Sequence, residues 1–337
     1  MKIKNILFAA AAAMALTACS SDDDVQQVQQ QSQFPEDGVM RFTTNLNDAA
    51  TVQTRSTITT SDLTTFKVKI VNPASATYSY FEAVYLISGE WTPNNRMLWQ
   101  NDQNPVTVTA AYLGSHDLTD AEFTGGANLT VASDQTSQAK LNAQDLLTMP
   151  TKDIANPSTE QTLLSGGKLV INLYHGLAKL DVTLELANEF YNFDPKLNNA
   201  SDITDFTISG TNTGYTFQPM TTANTNYGTV SVTASTAADI QPFQSEFTAA
   251  TADNGKHSTA KYESIVVPQQ IAAGALTVSF KIGTRSFSWT NTEAYTLEQG
   301  KLYTLPLTVG SDIVTLGASA LTVKSWNGET GGNLTTE

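Results

Sequence analysis

From Val39 onward, polar and apolar residues alternate along this chain with a period of two. Thr65-Phe66-Lys67-Val68-Lys69-Ile70 puts three apolar side chains on one face and three polar ones on the other, as in a strand with one buried side. Asn72-Pro73 then breaks the run. Residues 106–112, bounded by Pro105 and Gly114, predict another strand, and 168–173 and 179–184 predict two more on either side of His175-Gly176. Further runs lie at 204–209, 229–233, 264–267, 276–282 and 302–309. Threonine recurs at the polar positions, as suits exposed strand faces. Helical periodicity is weak; residues 142–148, closed by Pro150, predict one or two turns. Short strands with regular turn signals predict an all-β chain of sandwich or barrel type. Its 337 residues suit two antiparallel β-sandwich domains, at 39–175 and 176–337, with the boundary somewhere in 175–188.

The N-terminus departs from this pattern. Lys2 and Lys4 precede an alanine-rich apolar run over 6–16, and Leu16-Thr17-Ala18-Cys19 leads straight into polar sequence. The run is too short to span a bilayer. Residues 1–18 are therefore expected to be a lipoprotein signal, cut before Cys19, whose thiol takes the lipid. Two or three acyl chains suffice for stable anchoring where one does not. Residues 19–38 hold Asp22-Asp23-Asp24, a glutamine-rich stretch and Pro35, and predict a flexible tether.

Charge narrows the partners. The chain has 18 basic and 32 acidic residues, a formal charge of −14, and loss of Lys2 and Lys4 takes it to −16. That excess argues against nucleic acid and against charge-driven binding to anionic lipid. With Cys19 lipidated, no disulfide is available, so the fold rests on its cores. His116, His175 and His257 lack metal-ligand spacing. Ser165-Gly166-Gly167-Lys168 lacks the first glycine of a phosphate loop, no nucleophile elbow is present, and Asp202 and Asp205 are unmarked among loop acids. The expectation is a non-enzyme with no catalytic residue, cofactor or metal. Trp91, Trp99, Trp289 and Trp326 could form a sugar-stacking platform, but core packing is the commoner use of isolated tryptophans.

Several segments, taken in order, resemble the fimbrillin family of Bacteroidota, subunits of type V pili. Val39-Met40-Arg41-Phe42 followed by Gln53-Thr54-Arg55-Ser56 is similar to the family's first strand and its trypsin-like processing site. Glu90-Trp91-Thr92-Pro93 with Met97-Leu98-Trp99 resembles its tryptophan-rich hairpin. Tyr174-His175-Gly176-Leu177-Ala178-Lys179-Leu180, Ile265-Val266-Val267-Pro268-Gln269 and Leu297-Glu298-Gln299-Gly300-Lys301-Leu302-Tyr303 resemble later family segments. Leu113-Gly114 departs from the tyrosine and proline of many members.

The resemblance implies two transthyretin-like sandwich domains and a structural role: a lipid-anchored pilus precursor on the outer membrane, contributing to adhesion to a host or bacterial surface ligand. Asp22, Asp23 and Asp24 would direct surface sorting. A trypsin-like protease would cut between Arg55 and Ser56, removing the first strand, and other pilin subunits would fill the groove by strand exchange. The C-terminal donor would carry Ile313, Val314, Leu316, Leu321, Val323 and Trp326. Periodicity alone reads these as ordinary last strands equally well. The competing reading is a surface lipoprotein of β-sandwich domains that captures glycans.

Overall fold

The two-residue alternation becomes strand at nearly every expected place. The computed structural model describes residues 33–46, 62–188, 190, 199–220, 228–233, 237–251, 257–310, 313–317 and 320–326. Among them the strands of the first half are β1 (Phe42–Leu46), β2 (Thr65–Val71), β3 (Tyr80–Ile87), β4 (Glu90–Pro93), β5 (Val106–Leu113), β6 (Ala127–Thr130), β7 (Leu146–Ile154), β8 (Leu164–Ser165) and β9 (Lys168–His175). Then come β10 (Ala178–Leu186), β11 (Ile203–Ser209), β12 (Gly214–Gln218), β13 (Thr229–Val232), β14 (Phe243–Thr248), β15 (Ser258–Val266) and β16 (Gln269–Ile271). The last are β17 (Thr277–Ile282), β18 (Arg285–Thr290), β19 (Tyr295–Leu297), β20 (Lys301–Val309), β21 (Val314–Leu316) and β22 (Thr322–Ser325). Two short helices, α1 (Asp120–Gly125) and α2 (Gln138–Ala143), lie between β5 and β7.

The first half corrects the expectation of two antiparallel sandwiches. Its sheet runs β1-β4-β3-β2-β5-β7-β9-β8, and β1 also pairs with β9, so the sheet closes into a barrel. The closing pair is parallel, Phe42 opposite Leu169 through Leu46 opposite Leu173. Closure has a physical reason. The inner face is apolar from every strand, with Phe42, Phe66, Ile70, Val108 and Ile171 all buried in one cluster. Joining the two ends also pairs backbone along β1 and β9 that an open sheet would leave exposed.

In the second half, β14-β15-β10-β20-β21, with β22 also on β20, forms one sheet and β11-β17-β18 another. Leu180, Val182 and Leu305 from the first meet Ile208, Val278 and Phe280 from the second in one core, as in a sandwich. Here too one pairing is parallel, β10 on β20. A third cluster joins residues from both sides of Gly176, including Leu113, Phe123, Leu177, Tyr215, Ile265 and Trp326. The described residues make one compact unit.

Turn chemistry explains the tight hairpins. Gly166 and Gly167 both have positive φ, 56° and 74°, in the two-residue turn between β8 and β9. The glycine pair that failed as a phosphate loop is thus a hairpin turn.

The helix expected at 142–148 is displaced. Ser137 caps α2 by accepting from the Lys140 backbone N–H, and the helix ends before Leu146. Residues 146–154 are a strand despite Pro150, because β7 shifts register against β5 between Val108 and Ala110. A bulge tolerates a residue with no N–H to give.

Buried tyrosines make the fold sensitive to alkali. Tyr303 is buried and its hydroxyl accepts from the Glu298 N–H while donating to the Thr296 carbonyl. Burial pushes its pKa up to about 12, and burial likewise raises Tyr215 and Tyr262. An unfolded tyrosine ionises near 10. A phenol whose pKa is raised in the folded state contributes stability that is full below pH ~10 and is lost as the pH climbs through about 12. We expect cooperative unfolding in that window, followed by circular dichroism, with tyrosinate absorbance at 295 nm lagging until the fold opens. Complete tyrosine ionisation near pH 10 in a still-folded chain would refute it.

Candidate functional site

Two segments of this fold sit at a seam or an edge of their sheets: the first strand, and the strand pair that follows β20. β1 closes the barrel unevenly. Toward β9 it makes a five-residue parallel ladder, with Asn45 donating its side-chain amide to Oδ1 of the Asn172 side chain at 3.0 Å. Toward β4 it pairs at one position only, Phe42 opposite Trp91. Where the two diverge, a cleft of about 390 Å³ opens between Met40 and Phe42 on one side and Trp91 and Pro93 on the other. Phe42 meets Phe66 edge to face at 6.3 Å, and Phe66 meets Trp91 at 5.0 Å.

The C-terminal segment lies antiparallel along the outer edge of β20. β21 pairs Val314, Thr315 and Leu316 with Val309, Thr308 and Leu307. β22 pairs Thr322 to Ser325 with Thr304 to Lys301. Pro306 interrupts them. Its carbonyl accepts from the Gly317 N–H at 2.9 Å, so it points to this edge. In a strand the N–H of a residue points the same way as its carbonyl, and proline has none. One long edge strand is thereby divided into two short ladders.

Side chains secure those ladders. Val314, Leu321 and Val323 are buried in the second-half core, whereas Ile313 is 64% exposed and Leu316 39%. Ile313 therefore lies at the surface, outside that core. Trp326 goes elsewhere, into the cluster joining the two halves. Its indole stacks on the His175 imidazole, with centroids 4.0 Å apart and planes within 5°. His175 Nδ1 lies 2.9 Å from Asp145 Oδ1, and all three residues are buried.

One strand away is a charge network that sequence reading missed. Lys179 and Asp181 on β10 face Lys261 and Glu263 on β15, with Asp181 directly opposite Glu263. Lys179 Nζ is 2.5 Å from Glu263, and Lys261 Nζ is 3.0 Å from Asp181 and 2.8 Å from Glu263. Burial pushes the Asp181 carboxyl up, only partly offset by Lys179. Burial also opposes ionisation of Glu263, but Lys179 and Lys261 outweigh it and hold that carboxyl below its ordinary range. Charged residues at alternate strand positions read as a solvent face, and no feature of the sequence marks this face as covered.

The other expected residues fall as follows. Cys19, Asp22, Asp23, Asp24, Arg55 and Ser56 lie outside the described residues. His116 contacts Glu122 at 2.8 Å, and His257 lies 3.8 Å from Glu185, so each histidine sits in a different part of the fold. Among the described residues no three histidine, cysteine or carboxylate side chains converge as metal ligands. Asp202 closes a capping box with Asn199, and Asp205 pairs with Lys281 at 2.7 Å. Trp99 and Trp326 are buried, and Trp91 and Trp289 half-buried.

Comparison with known proteins gives a consistent result. The profile described as fimbrillin-like matches residues 45–326. A candidate cell adhesion protein of Bacteroides uniformis ATCC 8492 is similar in structure, with a TM-score of 0.56 at 16% identity over 87% of this chain and 99% of that one. A candidate cell adhesion protein of Bacteroides ovatus ATCC 8483 gives 0.58 at 14% identity over 86% and 97%. No curated protein matched by sequence.

Proposed function

This chain belongs to the fimbrillin-like family, and from that premise we propose that it is a structural subunit of a cell-surface fimbrium that polymerises by strand exchange and serves adhesion. The precursor is held to the outer membrane by lipid on Cys19, with Asp22, Asp23 and Asp24 as the sorting signal. A trypsin-like protease cuts between Arg55 and Ser56. The domains act as units divided near residue 176.

The uneven seam of β1 is the observation that carries the reading. Cleavage after Arg55 would detach a strand held by five pairs on one side and one on the other. Its loss would bare an apolar slot beside Phe66, Leu169 and Ile171 with unpaired backbone along it. An incoming strand restores both the main-chain bonds and the side-chain contacts. The segment carrying Ile313, Val314, Leu316, Leu321, Val323 and Trp326 is the donor. It is already an edge strand, and Pro306 divides its ladder.

Mass spectrometry of the surface protein tests the reading directly. The anchored precursor should begin at acylated Cys19 and the polymer at Ser56. Arg55→Ala should leave the chain monomeric under trypsin-type treatment that makes the unsubstituted chain polymerise. Polymer formed equally well by Arg55→Ala, or a mature terminus elsewhere, would overturn the processing step.

A further inference from the structure

Beside β2, β3, β5 and the loop that follows β5 lies a cleft of about 350 Å³. We propose that it binds a neutral hexopyranose unit of an oligosaccharide. Ala83 on β3 and Ala111 on β5 flank Lys67 of β2, so short side chains on either side of the lysine leave room at the floor. Tyr85, 42% exposed, forms one wall, and the His116-Asp117 loop overhangs as the other. Sugar sites combine an aromatic surface for the C–H face of the ring with planar polar groups for its hydroxyls, and this cleft offers both.

The polar groups are set in advance. Lys67 Nζ lies 2.9 Å from Asp117 Oδ1 and 5.8 Å from the centroid of the Phe81 ring. The loop is pinned by the Ser115 N–H donating to the Ala143 carbonyl at 2.7 Å and the His116 N–H to Leu113 at 3.2 Å. Just beyond it, a capping box of Thr119 and Glu122 fixes the start of α1, and Glu122 holds the His116 ring. A ligand entering such a site pays little to order it. Asp117 has one oxygen on Lys67 and a side chain 83% exposed, which leaves it able to accept from a pair of adjacent hydroxyls.

Charge selects the class of sugar. Lys67 is balanced by Asp117, and Glu122 sits against the His116 ring, so the cleft presents no surplus cation. The whole chain carries −14. An acidic sugar gains no pairing here and meets the field of the protein, whereas a neutral one meets neither cost.

The test is saturation-transfer NMR on the purified full chain with maltose, lactose, mannobiose and N,N′-diacetylchitobiose, and with sialyllactose as the charged comparison. At least one neutral sugar should receive saturation at its ring protons. Tyr85→Ala should weaken its binding roughly tenfold, and Tyr85→Phe should retain it within about twofold. Ala83→Leu, which fills the floor, should abolish it and serves if Tyr85→Ala does not fold. Transfer to none of the four sugars, unchanged binding in folded Tyr85→Ala or Ala83→Leu, or preference for sialyllactose over all four would overturn the proposal.

Discussion

Trp326→Ala should release the last strand while leaving the barrel intact. A buried tryptophan replaced by alanine costs about 3–5 kcal/mol where the surroundings cannot collapse onto the gap. Trp326 is the C-terminal segment's contribution to the cluster between the two halves, and it stacks on His175. What remains of β22 is a four-pair ladder beyond the Pro306 break. An edge segment undocks locally before the fold unfolds, so the penalty falls on docking rather than on global stability. Amide exchange at Thr322–Ser325 should rise by about 10² to 10³, since each ~1.4 kcal/mol is tenfold, with exchange in β2 and β5 unchanged. Trp326→Phe should keep most of the protection. Exchange that rises equally through the barrel would show that the segment is an inseparable part of the core, and strand donation from it would lose its structural support.

Lys179→Met is expected to destabilise the whole chain by about 3–5 kcal/mol, the cost of breaking a buried ion network by removing one partner. The substitution leaves Asp181 directly opposite Glu263 with Lys261 alone between them. Methionine fills much of the volume, so the loss reports charge rather than a cavity. Adding Glu263→Gln removes one of the two stranded carboxylates and should recover at least half of the loss. Chemical denaturation of the four members of that cycle gives the coupling directly. A loss below about 1 kcal/mol for Lys179→Met would place the network in the class of weak, solvated pairs instead.

The two predictions differ in how far the sequence could have led to them. β2 is legible because only one of its faces is buried, and its intermediate-buried alternation follows the residue types from Thr65 to Ile70. β10 was legible as a strand, but Lys179 and Asp181 gave the wrong exposure. A period-two pattern says which residues share a face, not whether a neighbouring layer covers it. α1 carried a local signal, Thr119 followed by Glu122, that strand periodicity on both sides obscured. Barrel closure left no local trace at all, because it depends on which strand meets β1, and alternation is the same for any partner. The stack of Trp326 on His175 was hidden for the same reason. The two residues lie 151 positions apart in sequence, and only the joined halves bring them together.

The seam also has a kinetic consequence. Asn45 and Asn172 touch across 127 positions of sequence, and the ladder they belong to is parallel. β2, β3 and β4 are hairpin neighbours that can pair as soon as each turn forms. β1 must wait until β9 exists and has found β7. Long-range parallel pairing bears its loop entropy before any contact repays it, and so forms late. The barrel is then a curled but open sheet for much of its folding time, with the slot between β4 and β9 vacant. A separate peptide spanning residues 39–46, supplied during refolding, should compete for that slot. The chain's own first strand is in this sense the earliest occupant of a place that is complete without it in every other respect.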